Sequence, residues 1–147
     1  MAAVYRTNTA TERDVYSHLV ECDGNFTPPL SSRVELRAYA KKIATKAVTF
    51  EAWEGDVLAG LVAAYFTDRT AGKGYITDVS IVSGCMGKGI AATLLDRCIA
   101  YAEKCGYTRI DLEVSADNDR AIRLYQKRGF VTVEDGPMRK MAYRTGR

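Results

Sequence analysis

Val82-Ser83-Gly84-Cys85-Met86-Gly87-Lys88-Gly89-Ile90-Ala91 is the stretch on which the fold of this chain turns. It joins a strand-like segment, Tyr75 to Val82, to a helix-like segment over residues 88–105. Glycines here let backbone N–H groups approach a ligand closely, and a helix N-terminus adds partial positive charge. Such a turn suits an anion, phosphate above all. A tight strand-to-helix turn without a ligand would use the same residues.

Working outward, apolar positions Ile90, Leu94, Leu95, Cys98, Ala102 and Cys105 repeat at helical spacing up to Gly106. Arg109 to Val114 alternates as a strand, with Ile110, Leu112 and Val114 on one face and Asp111 and Glu113 on the other. A short helix follows over Asn118 to Lys127, then strands over Phe130–Val133 and Lys140–Arg144. Upstream, a short strand over residues 3–8 precedes helices over Thr11–Cys22 and Arg33–Thr45. Strands over Val48–Trp53 and Val57–Thr67 flank Glu54-Gly55-Asp56, a hairpin signal. The order β-α-α-β-β-β-α-β-α-β-β begins with a meander and ends with crossovers. It predicts an α/β (α+β) mixed sheet with helices on both faces, as one domain over residues 1–147.

Three phosphate motifs compete for the glycine turn. A P-loop fails, because position 82 is Val and position 89 is Gly where Gly and Ser/Thr are needed. A dinucleotide fingerprint fits Gly87, Gly89 and Ala92, with Asp111 about twenty residues on. Against it, loop residues separate the strand from Gly87, and a meander precedes the turn. A nicotinamide-dependent oxidoreductase is therefore the alternative enzyme class.

The third motif is a resemblance. Residues 86–91, MGKGIA, are similar to the pyrophosphate loop of the GCN5-related N-acetyltransferase (GNAT) family, Arg/Gln-x-x-Gly-x-Gly/Ala. Gly89 and Ala91 match, and Met86 stands where the family has Arg or Gln. Residues 118–130, NDRAIRLYQKRGF, resemble the family's N-x-x-A-x-x-L-Y-x-x-x-G-F segment without a gap. The resemblance implies a GNAT-like fold and transfer of the acetyl group of acetyl-CoA to an amine by direct attack in a ternary complex. It places the diphosphate on the backbone of Gly87, Lys88, Gly89, Ile90 and Ala91, with Met86 at the first motif position. The N–H of Ile81 would receive the thioester carbonyl, and Ser83 would contact the pantetheine arm.

By the same resemblance Tyr125 is the general acid toward the departing thiolate. The alternative is a core tyrosine, since Ala121, Leu124 and Tyr125 form one apolar face. Asn118 either contacts pantetheine or caps its helix. Asp78 and Glu113 are the candidate bases, with Asp78 favoured; a solvent-facing or ion-paired carboxylate is the alternative for both. The acceptor is expected to be a small-molecule amine, with an amino sugar or sugar nucleotide as the lead and protein N-termini left open. The loop Asp23–Ser31 offers polar and aromatic groups for it. A non-catalytic CoA-binding module, motivated by Met86, is the third reading.

Composition narrows the partners. There are 21 Lys+Arg against 18 Asp+Glu, too even a balance for a nucleic-acid surface. The basic residues concentrate late: residues 120–147 hold eight Lys/Arg and two Asp/Glu. No apolar run is long enough to span a membrane, and the start lacks a secretion signal. Four cysteines without C-x-x-C spacing, and His18 set apart from them, argue against zinc. Reduced thiols, a cytoplasmic location and no metal are expected; a homodimer is left open.

Overall fold

The computed structural model describes residues 2–145. The elements follow the expected order: β1 (Val4–Thr7), α1 (Glu12–Cys22), α2 (Leu36–Lys46), β2 (Val48–Glu54), β3 (Val57–Asp68), β4 (Lys73–Ile81), α3 (Ile90–Lys104), β5 (Arg109–Ser115), α4 (Asp119–Lys127), β6 (Val131–Glu134) and β7 (Met138–Arg144). No helix among the described residues is long and apolar enough to cross a membrane.

Capping chemistry sets the helix starts. Thr11 Oγ accepts from the N–H of Asp14 at 3.1 Å, and the Asp14 carboxylate accepts from the N–H of Thr11 at 2.9 Å. This reciprocal pair begins α1, and Val15, Leu19 and Cys22 then fall on its buried face. Apolar spacing alone places the start of α2 at Arg33; it begins at Leu36. The Glu35 carboxylate accepts from the N–H groups of Arg37 and Ala38 and caps the helix there. α3 likewise starts two residues later than expected, after Gly89 in the left-handed conformation. Cys105 lies just past the end of α3 and is half-buried, whereas Cys98 is fully buried.

Seven strands form one mixed sheet in the order β1-β2-β3-β4-β5-β7-β6. All neighbours are antiparallel except β4 and β5, whose parallel pairing requires the α3 crossover. α3 and α4 cover one face over Phe50, Val62, Ile76, Ile110 and Phe130. α1 and α2 cover the other over Leu61 and Ala63. The sheet therefore has two separate apolar layers, as a mixed sheet covered on both faces must.

One charge sits inside this frame. Glu51, on β2, is fully buried. Its carboxylate accepts from the N–H groups of Thr9 and Ala10, from the hydroxyls of Thr9 and Thr49, and from Trp53 Nε1. Burial pushes its pKa up, but these hydrogen bonds outweigh burial and hold it below the usual carboxylate range. The ionised form thus ties the chain entering α1 to the sheet. Glu51→Gln replaces an acceptor with a donor facing donors. Urea unfolding at pH 7 is expected to show a loss of about 3 kcal/mol. A depressed carboxyl stabilises above its unfolded-state pKa and loses that contribution as pH falls through its folded value. The gap between wild type and variant should therefore close in acid.

Candidate active site

β4 and β5 pair only where Lys73, Gly74 and Tyr75 meet Arg109, Ile110 and Asp111. Beyond Tyr75 the two strands have no mutual pairing, and a gap opens in the middle of the sheet. On its other edge β4 stays paired to β3 as far as Ile81 opposite Gly60. The N–H of Val82 donates to Ala59 O at 2.8 Å. Alternation along an antiparallel ladder then turns the backbone groups of Val79 and Ile81 away from β3, toward the gap. The Ile81 carbonyl accepts from Asn25 Nδ2 at 3.3 Å, and Ser83 Oγ donates to Asn25 Oδ1 at 3.0 Å. Asn25, from the loop after α1, thereby fixes the end of β4.

The glycine turn lies at this end of the gap. Gly87 and Gly89 both have φ of +78°, which favours glycine. A Cβ at either position would meet nothing within 4 Å, so both face open space. No side chain caps the start of α3, which leaves its first N–H groups, those of Ile90 and Ala91 included, without a side-chain acceptor. Lys88 and Met86 are exposed beside them, and Cys85 is buried beneath.

Ala63 faces Asp78 and Ala64 faces Ile76, so Thr77 is an extra residue in β4. This bulge re-aims the strand, and the Tyr39 hydroxyl from α2 donates to its Thr77 carbonyl at 2.7 Å. Asp78 and Ser80 then share the face of Leu61 and Ala63, under α1 and α2. Asp78 is 4% exposed and has no ion-pair partner within 4 Å among the described residues, so neither bland expectation for it holds. Its carboxylate accepts from Ser80 Oγ at 2.6 Å. Burial pushes its pKa up to about 6, against the opposing pull of that hydrogen bond and the positive charge of Arg33.

Tyr125, on α4, belongs to the apolar layer on the face of the sheet opposite α1 and α2. It is buried, with its ring centroid 5.9 Å from that of Phe130. Burial, and then the Asp78 charge, push its phenol well above the ordinary tyrosine value. The Asp78 charge therefore reaches Tyr125 across the sheet. Glu113 stands apart: it is exposed on β5, where its charge acts on Tyr75. Asn118 Oδ1 accepts from the N–H of Ala121 at 3.1 Å and caps α4. Arg128 bridges to Asp96 on α3 at 3.5 Å, while Arg120, Arg123 and Lys127 are exposed.

Other groups were not visible as site residues in the sequence. His18, on α1, is 3% exposed. Its Nδ1 lies 2.7 Å from Leu58 O and its Nε2 lies 2.9 Å from Ser80 Oγ. His18 is not set apart from the cysteines, as the sequence suggested: one helical turn brings Cys22 Sγ to 3.6 Å from Nε2. Burial and the nearby charges of Asp78 and Glu21 push the Cys22 thiol up to about 12, so it stays protonated. The loop expected to offer polar groups to an acceptor uses several of them internally. The Asp23 carboxylate accepts from Ser31 N and Ser31 Oγ, each at 2.7 Å, and Asn25 holds β4.

Comparison with known proteins gives the family and the fold. The chain is 37% identical over 93 residues to the uncharacterized N-acetyltransferase YsnE of Bacillus subtilis, a match covering 61% of this chain and 60% of that protein. In fold it is similar to the ribosomal-protein-S18-alanine N-acetyltransferase of Escherichia coli, with a TM-score of 0.79, 18% identity, and 98% and 96% of the two chains covered. It is also similar in fold to the PaiA N-acetyltransferase of Thermoplasma acidophilum, solved in complex with coenzyme A: TM-score 0.73, 14% identity, 96% and 99% covered. The acetyltransferase (GNAT) family model matches residues 13–130, from the first helix through both resembling motifs, and this chain belongs to that family.

Proposed function

We propose that the chain, as one domain over residues 1–147, transfers the acetyl group of acetyl-CoA to a primary amine within a ternary complex. The observation that carries the reading is the edge of β4 left unpaired beyond Tyr75, which carries the buried Asp78 whose charge acts on the buried Tyr125, with an uncapped helix start after its end. Gly87, Lys88, Gly89, Ile90 and Ala91 supply N–H donors to the diphosphate. Met86 adds no charge there, so the backbone supplies the contacts. The pantetheine lies along the free edge of β4, past Ser83 and Asn118. The Ile81 N–H, turned toward the gap, stabilises the thioester oxygen as it gains charge in the tetrahedral intermediate.

Asp78 takes the proton of the attacking amine. A carboxyl near pH 6 is ionised at neutral pH yet basic enough to accept. Glu113, exposed and further out, is the second candidate for that role. Tyr125 stays protonated across the working pH range, so it donates to the departing thiolate and does not act as a base. Tyr125→Phe is expected to lower kcat by about tenfold to a hundredfold, with KM for acetyl-CoA within about twofold. An unchanged kcat would remove Tyr125 from the mechanism.

The acceptor we favour is a small-molecule amine, an amino sugar or sugar nucleotide among them, met in the cytoplasm. A protein N-terminus is the second reading, because the similar Escherichia coli enzyme carries a ribosomal protein in its name. Thiol release measured with amines, amino sugars, nucleotide-linked amino sugars and short peptides separates the two. Release confined to peptides overturns the small-molecule reading. Thermal stabilisation by NAD(P) and none by acetyl-CoA would overturn the acetyltransferase reading itself. Acetyl-CoA binding without release on any amine would leave a non-catalytic CoA module.

A further inference from the structure

Asp78, Ser80 and His18 form an unbroken hydrogen-bonded chain in the core. Ser80 Oγ lies 2.6 Å from Asp78 Oδ2 and 2.9 Å from His18 Nε2, and His18 Nδ1 lies 2.7 Å from Leu58 O. All three side chains are less than a tenth exposed. A carbonyl only accepts, so Nδ1 carries a proton in every state. The Ser80 hydroxyl has one proton for two acceptors. Both of its contacts are satisfied only when Asp78 and His18 hold one further proton between them. Either Asp78 is protonated and Ser80 donates to Nε2, or Nε2 is protonated and Ser80 donates to Asp78.

The geometry points to a proton relay in which Ser80 and His18 are positioning residues that carry the acceptor amine's proton from Asp78 into the core. The relay rests on the acetyl-transfer reading above. The N–H bond of the substrate ammonium breaks and its proton goes to the Asp78 carboxylate. Asp78 passes a proton to Ser80 Oγ as Ser80 passes its own to His18 Nε2. Asp78 ends ionised, the Ser80 hydroxyl is intact, and His18 carries the charge. The proton returns by the reverse path once products leave.

The surroundings favour this sharing. Burial drives the two end groups toward each other, raising Asp78 and lowering His18. The other titratable groups around the chain do not compete. Cys22 on α1, Tyr39 on α2, Tyr65 on β3 and Tyr125 on α4 are all pushed upward by burial and by the Asp78 charge. The positive charge of Arg33, before α2, reaches Asp78, and the charge of Glu21, on α1, acts on Cys22 beside His18.

His18 is the sole histidine in the sequence, so one imidazole signal reports on the relay directly. NMR titration of the full chain and of Asp78→Asn should show His18 titrating about one pH unit lower in the variant, because a carboxylate that favours the imidazolium is gone. Turnover supplies the second readout. A proton with two homes is held more tightly than a proton with one. In His18→Gln the acidic limb of the kcat profile should move to lower pH, and the plateau should fall about tenfold with KM for acetyl-CoA unchanged. The variant's melting temperature and two-dimensional NMR spectrum establish that it is folded; if it is not, Ser80→Ala takes its place with the same fall in plateau expected. An unmoved imidazole titration in Asp78→Asn overturns the relay. So does a wild-type pH profile in the folded His18 or Ser80 variant. A wild-type protein without turnover on any amine fails the acetyl-transfer reading instead, and the relay's role with it.

Discussion

Asp78→Asn is expected to lower kcat by about a hundredfold or more while raising the melting temperature. The two effects have one cause. Asp78 is buried beneath α1 and α2 with a pKa raised from 3.8 to about 6. A carboxyl raised in the folded state binds its proton more tightly there than in the unfolded chain. Its ionisation therefore costs stability, and the cost grows from the unfolded-state value up to the folded one, then stays constant. The shift corresponds to a cost on the order of 3 kcal/mol above pH 6. An amide keeps the acceptor that Ser80 uses and removes that cost. Above pH 6 the variant should melt higher by several degrees, and near pH 4 the difference should vanish. In turnover the sign is opposite. The base is present above about pH 6 and lost below it, so wild-type kcat should fall in acid while the variant stays low and flat. A variant with near-wild-type kcat would move the base to Glu113 or to solvent.

How much of this was legible in the sequence depends on what each feature rests on. Local signals carried the element order. The helical repeat from Ile90 to Ala102, the alternation from Arg109 to Val114, and the glycines around α3 are read from neighbours in the chain, and all recur in the structure. Spacing misplaces the start of α2 because Glu35 caps it, and glutamate is an uncommon N-cap residue. The gap between β4 and β5 was not legible, since pairing that stops after three residues leaves no mark in either strand's pattern. The place of Asp78 in a strand is plain from the sequence, but the face it takes is not. Alternation puts Asp78 and Ser80 in step with Ile76, on the face under α3; the bulge at Thr77 turns them to the other face, where α1 and α2 cover them. His18 stands out by being single, yet its partners Leu58 and Ser80 are 40 and 62 residues away. Contacts at that range come from topology, and the same holds for Asn25 reaching Ile81.

Gly89→Asp is expected to weaken acetyl-CoA binding by at least about a hundredfold, and Gly89→Ala by less than about tenfold. The comparison isolates charge from conformation. Gly89 has φ of +78°, and a non-glycine residue held there costs about 1 kcal/mol, with Asp among the better tolerated. A Cβ would touch no protein atom within 4 Å, so neither substitution disturbs the packing of the turn. The difference between the variants therefore lies in what faces the open side. If the N–H groups of Gly87 to Ala91 hold a diphosphate, the introduced carboxylate would sit among those donors, accept from them, and repel the ligand. At about 4 Å and an effective dielectric of about 20, two unit charges repel by about 4 kcal/mol, which exceeds the roughly 2.7 kcal/mol of a hundredfold loss. Calorimetric titration with acetyl-CoA at two salt concentrations reads both predictions, and the deficit of the Asp variant should narrow as salt rises. Equal affinities for the Asp and Ala variants would mean that the turn does not hold the diphosphate. The uncapped start of α3 would then be a helix end facing only water.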